Sequence, residues 1–361
     1  MSISTATFEL EVLTPMFMYG ADQSEPEVRP SAIKGMIRYW WRLLHADMWR
    51  SEKGIEKMRE KEKEIFGGVG DGARASHLRI RVNRDKVKEE RLESLKEELQ
   101  DQVGGWRYPG VAYLLYSKVM LQQPQGTKYI APGSRFRFKF EGDEEVMRHA
   151  LAGFWCAVNL GGFGARCRRG AGCVAAYLIE GEQMFKKAVF PRRGEEPKYD
   201  NAQALEKLLG LGLQEITKFV CGSVQRDHVP VALGIFGLGE NAGSWEQALN
   251  CIGERYKAVR RNWWRNSANR YEIAGLGLPL RKRGIQFCIK CGDRRVNRYG
   301  SPVWIGLYRA GRTLFGRLVC IRGDVTKWIR FVAKPRRGEP TEVSIPGRRL
   351  CQRFGESWEE R

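Results

Sequence analysis

Hydrophobic spacing switches repeatedly along this chain between a period of two and one near 3.6, and only a mixed α and β architecture satisfies both. Phe8, Leu10 and Val12 alternate with Thr7, Glu9 and Glu11, which predicts an opening strand. From Gly20 to Pro30, a glycine, prolines and short polar residues break either ladder, and Ser31 is the predicted cap of a helix over residues 32 to 50. Further strands are predicted over 77–82, 111–120 and 134–140, an exposed helical insertion over 85–102, a helix over 144–160 and a strand over 173–179.

The order strand, helix, strands, helix, strand sets the expected fold class: α+β, opening with a ferredoxin-like βαββαβ module whose helices share one sheet face. The 361 residues and 42% hydrophobic content suffice for two cored domains. The expected division is an N-terminal module over 1–180, a linker rich in Gly, Pro and charge over 181–200, and a strongly basic, degenerate second ferredoxin-like module over 201–361.

On a helical wheel at about 100° per residue, Lys34, Arg38, Trp41, Arg42, His45 and Trp49 share one arc. Ile33, Met36, Ile37, Trp40, Leu43 and Leu44 take the other side. The first face is either a cationic, aromatic strip suited to a nucleic-acid backbone or the solvated face of an ordinary amphipathic helix. Arg135, Arg137 and Lys139 line one face of a predicted strand as a second cationic surface. The net charge of +20, with pI near 9.7, favours a nucleic-acid partner over a membrane surface. The N-terminus lacks a signal-peptide pattern and no window reaches the length of a membrane span, so a soluble cytoplasmic protein is expected. Nine scattered cysteines fit a reducing compartment. Only Cys288 and Cys291 form CxxC, short of the four ligands structural zinc takes, so they are read as half-buried thiols and no metal or cofactor is expected.

Residues 161–172, GGFGARCRRGAG, interleave glycines and arginines. The segment follows a helix and precedes a strand, the reverse of a dinucleotide-binding turn, and no Gly-Lys-Ser/Thr closes it as a P-loop. It is read as a loop whose main-chain amides, around Gly161, Gly162, Gly164 and Gly170, cradle RNA backbone while Arg166, Arg168 and Arg169 neutralise phosphates. From 255 to 298 the chain is again dense in Lys and Arg, with Tyr256, Trp263, Trp264 and Tyr271 among them, a composition for stacking and phosphate binding.

The string RPSAIKGMIRYWWRLLH (29–45), the upstream TPMFMYGADQ and the glycine loop, in that order, resemble the RAMP superfamily of CRISPR effector proteins. The resemblance is closest to the first-numbered subunits of type III-B (Cmr) RNA-targeting complexes and covers roughly the first 180 residues. It implies two ferredoxin-like modules and a place beside other Cmr subunits in an antiviral ribonucleoprotein. It also implies contact with CRISPR guide RNA and complementary target RNA near the guide's 3′-distal end, and no catalytic role. It assigns Lys34, Gly35 and Arg38, with Arg42 nearby, to the helix motif, and Gly161, Gly162, Gly164, Arg166, Arg168, Arg169 and Gly170 to the loop. Phe163, Cys167 and Ala171 depart from the family's loop. RRVNRYGSPVWIGLY (294–308) resembles a second-module segment, making Arg294, Arg295 and Arg298 RNA-binding candidates, with Gly300 where alanine is expected.

Two residues are candidates for ribonuclease chemistry. Asp22 lies in a loop where RNA-cleaving relatives carry an acidic residue that works with a metal, and His45 matches the acid or base of guide-processing relatives. A lone Asp in such a loop is more often a turn former, and His77, His149 and His228 have no partner visible in the sequence.

Overall fold

The computed structural model describes residues 3–45, 48, 51–69, 72–195, 201–221, 231–237, 243–266, 271–277, 280–282, 285–291, 294–296, 298–321, 330–334, 339, 341–343 and 349–359. The first half runs β1 (Ser4–Val12), α1 (Pro30–Leu44), α2 (Glu52–Phe66), β2 (Arg79–Lys86), β3 (Glu89–Arg91), α3 (Leu92–Leu99), α4 (Pro109–Leu114), α5 (Tyr116–Val119), β4 (Lys128–Ile130), β5 (Arg135–Gly142), α6 (Glu144–Asn159) and β6 (Val174–Glu180). The second runs α7 (Ala202–Cys221), β7 (Val231–Gly237), α8 (Trp245–Arg265), β8 (Leu280–Lys282), β9 (Ile285–Cys291), β10 (Arg294–Val296), β11 (Val303–Ala310), β12 (Thr313–Ile321), β13 (Arg330–Lys334), β14 (Thr341–Val343) and α9 (Arg349–Glu359).

An α+β protein results, with every strand pair antiparallel. The first sheet has the order β2-β5-β1-β6 and pairs Phe8 with Phe138 on one side and Leu178 on the other. Phe8, Leu10, Phe136, Phe138 and Phe140 turn inward, and Phe8 meets Phe154 of α6 edge-on at 5.2 Å. Asp143 caps α6 by accepting from the Val146 amide, and Glu144 and Glu145 sit at the positive end of its dipole. That helix is apolar almost all round because α1 covers one flank and α7 another. Beyond it, β7-β12-β11 form a three-stranded sheet, and β10-β9-β13-β14, with β8 on β9, form a separate one.

Four expectations about local structure are corrected. Residues 109–119 are the helices α4 and α5, not a strand: a short apolar run carries no decisive period, and Pro109 starts a helix that α8 packs against. Ser31 is not the cap of α1; Arg29 holds that position without a side-chain bond, and Pro30, with its preset φ, begins the helix. That helix ends at Leu44 instead of near 50. The insertion over 85–102 is not exposed throughout, since Leu92, Leu95 and Leu99 of α3 are buried.

Both hydrophobic clusters draw on residues before and after 181–200. Trp304 and Leu205 join the first beside Trp40 and Phe154, while Phe17, Leu95 and Val111 join Leu249 and Ile305 in the second. The described part of that segment is strapped down: Glu215 of α7 accepts from the amides of Lys186, Lys187 and Ala188, and Phe185 and Phe190 are buried. No described helix is long and apolar enough to cross a membrane.

Candidate nucleic-acid interface

The two halves meet around a cleft of about 510 Å³, lined by Tyr113, Tyr116, Arg166, Arg168, Arg169, Tyr256, Arg260 and Tyr299, with Cys167 and residues 277, 300 and 301 between them. One wall comes from the crossing of α4 and α8. A Cβ at Gly110 would overlap the Asn250 carbonyl and one at Gly253 would overlap the Gly110 carbonyl, so only two glycines allow this approach. The crossing sets Tyr113 6.1 Å from Tyr256. The opposite wall is the glycine loop, which Arg317 of β12 holds in place. That buried guanidinium donates to the carbonyls of Val158 (3.1 Å), Asn159 (2.7 Å) and Gly161, satisfying the C-terminal end of α6 where the loop begins.

The loop does not present its amides to a ligand, which corrects the sequence expectation. Phe163 N donates to Gly172 O (2.9 Å), Ala165 N to Phe17 O (2.7 Å), Arg169 N to Arg166 O (2.7 Å) and Gly172 N to Pro15 O (2.9 Å). Gly161, Gly162 and Gly170 are buried, so the glycines serve close packing. Phe163, Cys167 and Ala171, the departures from the family's loop, are buried too and pack into the two cores.

What faces the cleft is guanidinium. Arg166, in the left-handed region at φ 63°, donates from Nε to Leu114 O (3.2 Å). Arg169 donates to the carbonyls of Val303 (2.9 Å) and Leu276 (3.0 Å) and lies 4.7 Å over the Tyr256 ring. Arg260 donates to Tyr256 Oη (2.9 Å), while its buried Nε has no hydrogen-bond partner. Arg168 lies over the Trp304 ring at 4.9 Å and the Tyr39 ring at 5.4 Å. A Cβ at Gly300 would overlap the Arg168 guanidinium, which explains glycine where the resemblance led to alanine.

No carboxylate lines this cleft, and none of its four arginines makes an ion pair among the described residues. The crowding is legible in the acidities. Desolvation, aided by Arg260 and Arg166, pulls Arg169 down to about 10. Burial pushes Tyr256 up, but Arg169, Arg260 and Arg166 outweigh it and leave the phenol below its ordinary value.

The other candidates lie elsewhere. On α1, Arg38 (2.5 Å) and Arg42 (2.7 Å) both bind Glu62 of α2, and Lys34 donates to Ser76 Oγ. Trp41 and His45, expected on an open cationic face, are fully buried under α2, Trp41 meeting Phe66 edge-on; Trp49 lies outside the described residues. Arg135, Arg137 and Lys139 are likewise neutralised, by Glu11, Glu9 and Glu141. Although burial raises it, Glu11 is held at about 2 by Arg309, Arg193 and Arg135. Arg295 and Arg298 are exposed and do not line the cleft, and the Arg294 side chain is outside the described set. Cys288 is buried, the Cys291 side chain is not described, and no described group of three or more His, Cys, Asp or Glu could hold a metal.

Asp22 accepts from Ser24 N (2.7 Å) and Ser24 Oγ (2.6 Å), the bonding of a turn former. His45 cannot meet a substrate in this conformation: its Nδ1 faces Trp41 O at 2.9 Å, and burial pulls its pKa down to about 4. His149 accepts from Trp41 Nε1 (3.1 Å), and burial, with Lys61 and His45 adding, takes it to about 3. His228 is outside the described residues. A histidine depressed on folding takes up protons first when unfolded, so its stability contribution is complete above pH 6.5 and lost as pH falls towards the folded values. Glu98, raised to about 7 by burial and Glu246, opposes this. The net expectation is a loss of roughly 1–2 kcal/mol between pH 6.5 and 5, measured by urea denaturation, which His149→Gln reduces. A flat profile for the unsubstituted protein contradicts the buried pair.

Sequence reasoning missed Tyr113, Tyr116 and Arg260. The first two fall in the segment taken for a strand. Arg260 carried a usable signal, one helical turn beyond Tyr256 on the same face.

A family model described as the RAMP superfamily matches residues 9–175. Over 184 residues the chain is 32% identical to CRISPR system Cmr subunit Cmr1-2 of Pyrococcus furiosus, covering 48% of this chain and 96% of that protein. The crystal structure of apo Cmr1 from Pyrococcus furiosus superposes with a TM-score of 0.59 at 23% identity, over 100% of this chain and 97% of that one. A chain of the cryo-EM structure of type III-B Cmr-beta bound to cognate target RNA and AMPPnP, in the presence of ssDNA, superposes with a TM-score of 0.54 at 14% identity, over 99% of each. At those identities the two structures speak to the fold.

Proposed function

The chain belongs to the RAMP superfamily, among the Cmr1 subunits of type III-B Cmr complexes, and on that footing we propose that it is a noncatalytic RNA-binding subunit of such a complex. It works beside other Cmr subunits in the cytoplasm, holding guide RNA and complementary target RNA near the guide's 3′-distal end in antiviral defence. The observation that carries this is the cleft: four guanidiniums converge on one space with no carboxylate among its lining residues, a repulsive arrangement that a phosphate backbone relieves. The target RNA in the Cmr-beta structure is the chemical class that fits.

Two ferredoxin-like modules frame the cleft. The order β6-β1-β5-β2, with α1 and α6 as the crossovers, supports the first. The succession β7, α8, β11, β12 in the order β7-β12-β11 supports a degenerate second that lacks its fourth strand among the described residues. The turn role of Asp22 and the burial of His45 favour scaffold over ribonuclease.

Photocrosslinking of the assembled complex on 4-thiouridine-substituted RNA, with and without magnesium, tests this. Crosslinks are expected in peptides holding Tyr113 to Tyr116, Arg166 to Arg169 and Tyr299 to Ser301. Crosslinks confined to other faces contradict the cleft, and magnesium-dependent cleavage by the purified chain that Asp22→Ala abolishes contradicts a noncatalytic role.

A further inference from the structure

The cleft is aromatic as well as cationic, and phosphate binding leaves that half unexplained. Tyr113 and Tyr256 are committed to the interior, the second lying beneath Arg169 and Arg260. Tyr116, at the start of α5, is 47% exposed at the rim. One helical turn on, Met120 and then Leu121 continue that rim, 46% and 48% exposed. Tyr299 stands on the C-terminal side of the same cleft. An arginine floor with an apolar, ring-bearing rim offers a phosphate its charge and a base its face at once.

We propose that the cleft is a pocket for one unpaired nucleotide, the phosphate held by Arg166, Arg168 and Arg260 and the base turned out of its stack against Tyr116. The inference rests on the RNA-binding reading of the cleft and goes further by naming what enters. About 510 Å³ lies within the range of roughly 300–1,000 Å³ typical of small-ligand pockets. A continuous A-form duplex keeps its base faces stacked and cannot present one to Tyr116, whereas a single strand, a bulge or a frayed end can. Stacking on tyrosine tolerates every base, so the pocket senses whether a nucleotide is paired and not which one it is.

Fluorescence anisotropy with short labelled oligonucleotides separates this from backbone binding alone. The probes are a single-stranded RNA, the same strand with abasic positions at its centre, and the strand paired to its complement. The intact single strand is expected to bind about tenfold more tightly than the abasic strand, the size of one stacked base, and more tightly than the duplex. Tyr116→Ala, at an exposed position that folding does not need, erases the preference over the abasic strand, and Tyr116→Trp retains it. Arg168→Ala weakens all three probes alike. If Arg168→Ala weakens binding but Tyr116→Ala leaves the preference intact, the cleft grips backbone only and the nucleotide pocket is overturned. If Arg168→Ala changes nothing, the RNA-binding reading itself fails.

Discussion

Arg317→Ala is expected to lower folding stability by roughly 3–4 kcal/mol, read as a fall in the urea midpoint at unchanged slope. The side chain is 1% exposed and its guanidinium is shared by the carbonyls of Val158, Asn159 and Gly161. Truncation leaves those acceptors without a donor at the negative end of α6, away from water, and opens a cavity; relief of the buried charge offsets only part of this. Arg317→Lys restores the charge but not the planar fork that serves all three acceptors, so it recovers part of the loss. Gly306 belongs to the same device, since a Cβ there would lie 2.7 Å from Arg317 Nη2. A loss below about 1 kcal/mol for Arg317→Ala contradicts the anchor.

Because that anchor fixes where the glycine loop begins, its effect reaches the cleft. A loop freed at Gly161 no longer holds Arg166 and Arg168 against α4 and β11, so Arg317 variants that remain folded are expected to bind RNA more weakly as well.

Much of this arrangement was legible in the chain. Alternation in β1 and β5 and the capped, acidic start of α6 follow from local chemistry, and the glycine loop's arginines do reach the cleft. Its amides did not follow, because their partners lie as far off as Pro15 and Phe17, beyond the reach of any local period. The basic face of α1 misled for a related reason: a wheel shows which residues share an arc, but not that Glu62 of another helix takes up two of them. Arg317 looked like an ordinary strand cation. Nothing in the sequence of β12 marks it as the cap of a helix more than 150 residues earlier.

The second large effect concerns the cleft's own charge. Arg260→Glu places a carboxylate beside Arg166 and Arg169, relieving the repulsion that depresses Arg169. Folded stability is therefore expected to hold or rise by up to about 1 kcal/mol. RNA affinity is expected to fall about 100-fold, as a charge-assisted phosphate contact is exchanged for a repulsive group. Stability and binding move apart only if the cluster exists for an anionic ligand; a cluster serving the fold would lose both.

The salt dependence of single-stranded RNA binding tests that most directly, as the slope of log affinity against log salt for the unsubstituted protein and for Arg260→Glu. The slope is expected to flatten by about 0.7 for each phosphate no longer neutralised, together with the fall in affinity. Equal slopes and equal affinities, with both proteins folded, would contradict the claim that RNA phosphate occupies the arginine cleft.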